Sequence, residues 1–147
     1  MRLAHRTRTS ATPAQVWELL GHPHRWPEFD PFFRRVRGAE RARSGQTLLG
    51  IARFTSLRIP LDVVDAVPEQ RLELFLHTAP GVRERVVYEV APSVRGGSHL
   101  RVSVVVEGLF ARGAVAPLWL ASGLTLRVLA ARAERLARAR RKERGAA

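Results

Sequence analysis

ATPAQVWELLGHPHRWPEFDPFFRRV, residues 11 to 36, holds a helix start, a helix stop and a run of prolines in one short segment. Thr12-Pro13-Ala14-Gln15 is a capping box: the Thr12 hydroxyl accepts from the Gln15 amide, Gln15 reaches back, and Pro13 suits the first helical position. The helix so predicted carries Val16, Trp17, Leu19 and Leu20, and Gly21 is read as a left-handed stop. Barely two turns long, it needs something larger to pack against. Beyond it Pro23, Pro27 and Pro31 recur, and each restrains its predecessor from helical geometry. Trp26, Phe29, Phe32 and Phe33 are therefore carried on one short helical turn and bends, placed to cover the edge of a core.

On the amino-terminal side, residues 3 to 10 alternate and predict a first strand. After this segment the pattern becomes extended, with strands expected over 34–40, 47–55, 57–67, 72–78, 82–90 and 99–109. Ser44-Gly45, Pro68-Glu69, Pro80-Gly81 and Gly96-Gly97 supply the breaks. Connections this short make antiparallel hairpins, so the seven strands form a meander. Leu100, Val102, Val104 and Val106 share one face, opposite Arg101, Ser103 and Glu107. Val86, Tyr88 and Val90 likewise oppose Arg85 and Glu89, and Leu72, Leu74 and Leu76 make a third apolar row. One face of the sheet is apolar and the other is polar.

A long carboxy-terminal helix is left to cover the apolar face, with Pro117 near its first turn. Val115, Leu118, Trp119, Ser122, Leu126, Leu129, Ala133 and Leu136 fall at three- and four-residue spacings on one side of it. Its first half is apolar almost all round, which predicts enclosure on more than one side. Its last turns, ARARRKERGAA, are solvated and expected to fray.

At 147 residues the chain fits one domain, which buries roughly 70% of the surface of its unfolded form. With no repeat and no linker, a single α+β domain over 1–147 is expected, its basic tail starting near residue 138. The absence of cysteine removes disulfides, thiolate metal sites and cysteine nucleophiles together and agrees with a cytoplasmic location. The amino terminus has basic residues without a following apolar stretch, so it does not read as a secretory signal. The apolar run 113–126 is shorter than the ~20 residues a bilayer requires and is broken by Pro117 and Gly123. The net charge of +12 rests on 25 basic residues, of which only Lys142 is a lysine. This excess is scattered except over 132–144, so an anionic membrane surface is a possible partner and nucleic acid is not favoured.

The order of elements, with ATPAQVWELLGHPHRWPEFDPFFRRV, resembles the START-like (SRPBCC) superfamily and its bacterial polyketide cyclase/dehydrase-like group. The matching positions are Pro13, Val16-Trp17, Leu19-Leu20, Trp26 and Pro31, then DVVDAVPEQRLEL at 62–74 and the Gly96-Gly97 turn. The resemblance implies a helix-grip fold: a seven-stranded curved antiparallel sheet, two short helices, and a long carboxy-terminal helix over a ligand cavity. It carries no universal catalytic residue.

Trp26, Phe29, Phe54, Leu74 and Leu76 are assigned to that cavity, with Tyr88, Val104, Trp119 and Ser122. Tyr88 is the one candidate for catalysis, since an inward phenol can donate to a ligand carbonyl or act as an acid; packing is its alternative role. His22, His24, Glu28 and Asp30 invite a metal reading, but their spacing matches no metal motif, and Asp30 is read instead as capping the turn at Pro31. Arg53 is a cation suited to an enolate, on a face that alternation does not assign, and His77 faces water. No nucleophile elbow, phosphate-binding glycine loop, dinucleotide fingerprint or metalloprotease helix is present, so neither cofactor nor metal is expected. Three functions stay open: binding of a hydrophobic polyketide, lipid or quinone-like molecule, a cyclase or aromatase using cavity acids and bases, and lipid transfer at a membrane through the basic helix. Nothing in the sequence specifies an oligomeric state.

Overall fold

The computed structural model describes residues 2–109 and 111–146, the side chains of 114–116 excepted. The capping box forms in full: Thr12 Oγ1 accepts from Gln15 N at 3.3 Å, and Gln15 Oε1 accepts from Thr12 N at 2.9 Å. It opens α1, Pro13–Leu20. Val16, Leu19 and Leu20 are completely buried, each contributing roughly 1.5–3 kcal/mol through removal from water, and α1 packs on the sheet and on the final helix.

Gly21 does not end α1 in the left-handed region; its φ is −79° and its ψ −4°. Glycine is required there by proximity, because a Cβ would lie 2.5 Å from Trp17 Nε1. The chain turns extended at His22, ahead of Pro23, and begins a 3-10 helix over Pro23–Glu28. Trp26 Nε1 donates to the Leu20 carbonyl at 2.9 Å, satisfying one of the acceptors left over at a helix end.

The seven strands are β1 (Arg2–Thr9), β2 (Phe33–Arg37), β3 (Thr47–Ala52), β4 (Arg58–Val67), β5 (Arg71–Ala79), β6 (Val82–Pro92) and β7 (Ser98–Glu107). Their order is β1-β7-β6-β5-β4-β3-β2, antiparallel throughout. Register aligns Tyr88 with Leu72 on one side and Val102 on the other, and Val86 with Leu74 and Val104. All these residues are buried, so they form rows across one apolar face. Register shifts in β2–β3, β4–β5 and β5–β6 bend the strands and curve the sheet. The opposite face carries ion pairs, among them Arg71 with Glu73 at 2.8 Å and Arg101 with Glu89 at 3.7 Å.

Gly50 on β3 lies close under a side chain, since a Cβ there would lie 2.4 Å from the Phe33 ring. Its absence lets Phe33 lie against β3 and stay buried.

The final helix, α2, runs over Ala111–Gly145, so Pro117 is its seventh residue and not part of its first turn. Proline there cannot donate to the carbonyl four residues back, which leaves the Gly113 carbonyl without its helical partner. From Thr125 on, α2 behaves as expected, with Leu126, Leu129, Ala130, Ala133 and Ala137 buried. Thr9 Oγ1 donates to the Ala130 carbonyl at 3.1 Å, and Arg140 pairs with Glu18 of α1. The first half is not enclosed: Trp119, Leu120 and Leu124 are each about half exposed or more. One side of this half meets the sheet, and no described element meets the other. Val115, placed on the covered side by its spacing, lies outside the described side chains. Among the described residues no helix is long and apolar enough to cross a membrane.

Candidate functional site

β6 directs every second side chain at the apolar face, so Glu84 comes inward with Val86, Tyr88 and Val90. Glu84 is 5% exposed, and its carboxylate accepts from the Thr78 hydroxyl at 2.9 Å. Burial raises its pKa, only partly offset by that bond.

Asp30 approaches from the loop between the 3-10 helix and β2. Its Oδ1 accepts from Phe32 N at 3.0 Å, the turn-capping role expected of it. It lines the same space as Glu84. Burial pushes the Asp30 carboxyl up to about 6, with Glu84 adding to the rise while the Phe32 amide and Arg53 oppose it. The loop is held by Arg53, whose guanidinium donates to the carbonyls of Pro27, Pro31 and Phe33 at 3.1–3.3 Å. Arg53 is exposed and spent on backbone, so it serves as a clamp rather than a cation within the site.

Between the curved sheet and α2 these residues border a cavity of about 60 Å³. Leu76, Val86, Val102 and Val104 come from the sheet, Phe32 and Phe33 from the loop and β2, and Leu118, Ala121, Ser122 and Thr125 from α2. A deeper chamber of about 30 Å³ lies under Trp26, Phe29, Leu72 and Leu74. Asp30, Phe33, Leu76, Val86 and Tyr88 border both chambers. A wider depression of about 790 Å³, open to solvent, lies elsewhere, among Arg6, Arg71, Glu89 and Arg101.

Tyr88 is 6% exposed, its ring edge-on to Phe29 at 6.3 Å. Burial and the neighbouring Asp30 charge raise its pKa well above the ordinary phenol value. Neither its hydroxyl nor that of Thr125, which is 4% exposed, has a hydrogen-bond partner among the described residues. Ser122 instead donates to the Trp119 carbonyl at 3.1 Å. The cavity therefore combines an apolar wall with two carboxyls of raised pKa and two hydroxyls free to bond a ligand.

Of the residues assigned to the cavity from sequence, Trp26, Phe29 and Leu74 border the deep chamber, Val104 and Ser122 the outer one, and Leu76 and Tyr88 both. Phe54 and Trp119 do not belong with them. Phe54 lies in the β3–β4 turn, 87% exposed. Trp119 is turned out to a tilted contact with the His5 ring at 5.2 Å, while His5 Nε2 bonds its carbonyl at 3.0 Å. Among the described residues there is no group of three metal-ligating side chains: Glu28 pairs with Arg25 at 2.7 Å, His22 bonds the Glu18 carbonyl, and Asp30 faces the cavity. Glu84 was missed, although the alternation that turned Val86 and Tyr88 inward applies to it equally; Thr78 follows from Leu72, Leu74 and Leu76 in the same way.

Seven antiparallel strands curved toward one long helix, with a cavity beneath it, define the helix-grip class of the START-like superfamily. Within that class, the chain belongs to the family described as polyketide cyclase/dehydrase and lipid transport, whose model matches residues 2–139. A search of curated proteins finds no match. Among solved structures, protein MLL2253 from Mesorhizobium loti is 18% identical with a TM-score of 0.73, over 92% of this chain and 96% of that one. Aha1 from Colwellia psychrerythraea, solved as a dimer, is 14% identical with a TM-score of 0.71, over 91% and 96%. DynU16, from the dynemicin biosynthetic locus, is 17% identical with a TM-score of 0.69, over 88% of this chain and 45% of that one. These are likenesses of fold.

Proposed function

We propose that this protein binds a hydrophobic small molecule, of polyketide, lipid or quinone type, in the cavity between the sheet and α2. The observation that carries this reading is the pair of hydroxyls on buried Tyr88 and Thr125, without a hydrogen-bond partner among the described residues, in a largely apolar wall. Core hydroxyls ordinarily find a partner in the protein; these belong to residues that border the cavity. Family membership and the fold agree with ligand binding.

The two chambers, at about 60 and 30 Å³, hold a few waters, whereas ligand pockets usually span ~300–1,000 Å³. Occupancy therefore requires the site to widen. The first half of α2 is the element suited to move, being packed on one side, interrupted at Pro117, and half exposed at Trp119, Leu120 and Leu124. Native mass spectrometry of the purified protein, followed by denaturing extraction, tests the reading. A retained apolar molecule that is lost when Ser122→Trp fills the cavity is the expected result; an unoccupied protein that also fails to bind an environment-sensitive apolar dye in a saturable way would overturn it.

A second reading, a cyclase-type enzyme, is favoured by one observation: Asp30 titrates near neutrality beside Tyr88, as a general acid or base should. It requires Asp30→Asn to abolish turnover of a bound polyketide while binding persists. Equal loss of both would leave binding alone.

A further inference from the structure

The ionisable groups around the cavity are the reverse of those in the whole chain. The protein has 25 Lys and Arg against 13 Asp and Glu. Yet no basic side chain borders the cavity among the described residues, where the titratable groups are Asp30, Glu84 and Tyr88. Two acids in one place are common enough; two acids lining one largely apolar space with two hydroxyls that have no partner among the described residues are not explained by folding.

The surroundings of each acid are accounted for. Asp30 receives the Phe32 amide from its own loop and feels Glu84 and Tyr88 from β6 and Arg53 from the β3–β4 turn. Glu84 receives the Thr78 hydroxyl from β5. From α2, the cavity is met by Leu118, Ala121, Ser122 and Thr125, none of them charged. Among the described residues Arg53 is the one cation that acts on either carboxyl, and its guanidinium is committed to three carbonyls. Each acid keeps an oxygen without a hydrogen-bond donor among the described residues.

A carboxylate held in apolar surroundings without a cation is unfavourable, and a ligand that brings the cation relieves this. A ligand carboxylate or phosphate would instead add a like charge to the space, and a neutral ligand would leave both acids unpaired. The net positive charge of the protein does not decide the matter, because surface charges beyond about 8 Å are screened at physiological ionic strength. We propose that the molecule bound here is an apolar compound with one basic nitrogen, held as its ammonium against Asp30 and Glu84, with the Tyr88 and Thr125 hydroxyls as further acceptors. This rests on the cavity-binding reading above and names the polar end of its ligand.

Calorimetric titration with octylamine, 1-octanol and octanoate, three probes sharing one alkyl chain, tests it. At about pH 8 octylamine is expected to bind about tenfold or more tightly than octanol, and octanoate no better than octanol. Octylamine stays protonated at about pH 5, so its advantage should shrink there as Asp30 takes up a proton. In Asp30→Asn, which keeps the acceptor for the Phe32 amide, and in Glu84→Gln, which keeps that for Thr78, the ratio of octylamine to octanol affinity should fall toward one, with thermal melts confirming the fold. Octanol or octanoate binding as tightly as octylamine overturns the proposal and leaves cavity binding standing. Failure of all three to bind overturns both.

Discussion

The Thr78 hydroxyl donates to Glu84 Oε1 at 2.9 Å, a bond between β5 and β6 on the apolar side of the sheet. It opposes the burial that raises the Glu84 pKa. Thr78→Val removes the donor and leaves burial alone, so the Glu84 pKa should climb further. Because the folded state then holds the proton more firmly than the unfolded chain, stability is greatest below the ordinary carboxyl range and falls as pH rises through the folded value. The cost of Thr78→Val should be roughly 1–3 kcal/mol once Glu84 is ionised and small where it is protonated. Urea denaturation at the two ends of that range measures the difference.

Asp30 follows the same sign. Its carboxyl titrates at about 6 in the fold against 3.8 as its ordinary value, so protonation favours folding. That contribution is complete below the ordinary value, declines through the interval and is gone above about 6. Asp30→Asn should therefore be more stable than the natural protein near pH 8, by about 1–3 kcal/mol, with the gap closing in acid. Equal stability at every pH would show that the carboxyl is not held in an apolar site.

Gly50 and Phe33 form a steric pair. A methyl at Gly50 would sit 2.4 Å from the ring, and Gly50→Ala should cost roughly 1–3 kcal/mol. Phe33→Leu in the same chain should recover much of this, giving a coupling in a double-mutant cycle that two independent sites would not show.

Arg53→Ala should free the carbonyls of Pro27, Pro31 and Phe33 together. The Asp30 pKa should then rise above its value of about 6, since the opposing cation is lost. Arg53→Lys should restore little, because a single ammonium cannot fork to three acceptors as a guanidinium does. Carboxyl-carbon titration by NMR reads the pKa, and hydrogen exchange across residues 28–33 reads the loop.

The sheet was legible because period-two alternation reports faces directly, as at Val86, Tyr88, Val102 and Val104. The same rule pointed to Glu84, but a charged side chain on an apolar face reads as an exception until its Thr78 partner is visible. Asp30 was beyond such rules: its entry into the cavity depends on Arg53 clamping a loop from another strand. Apolar character alone could not separate Trp26, which is buried with its indole bonded to Leu20, from Trp119, which turns outward. The first half of α2 looked enclosed for the same reason. Gly21 has the composition of a left-handed stop, yet answers to the Trp17 ring beside it.

Thr9 pairs with Ser98 and Arg2 with Val105, so β1, the first strand of the sheet in chain order, must wait for β7, the last. The hairpins from β2 to β7 can assemble as they emerge, each beside its predecessor, but β1 has nowhere to go until β7 exists. Only then can α2 cover the rows of valine and leucine. Such late closure slows folding and prolongs exposure of apolar surface. During synthesis the vulnerable species is a sheet with β7 unmade and its inner face uncovered. Slowing translation upstream of residue 98 should thus lower the yield of soluble protein, whereas an equal pause after release of α2 should not.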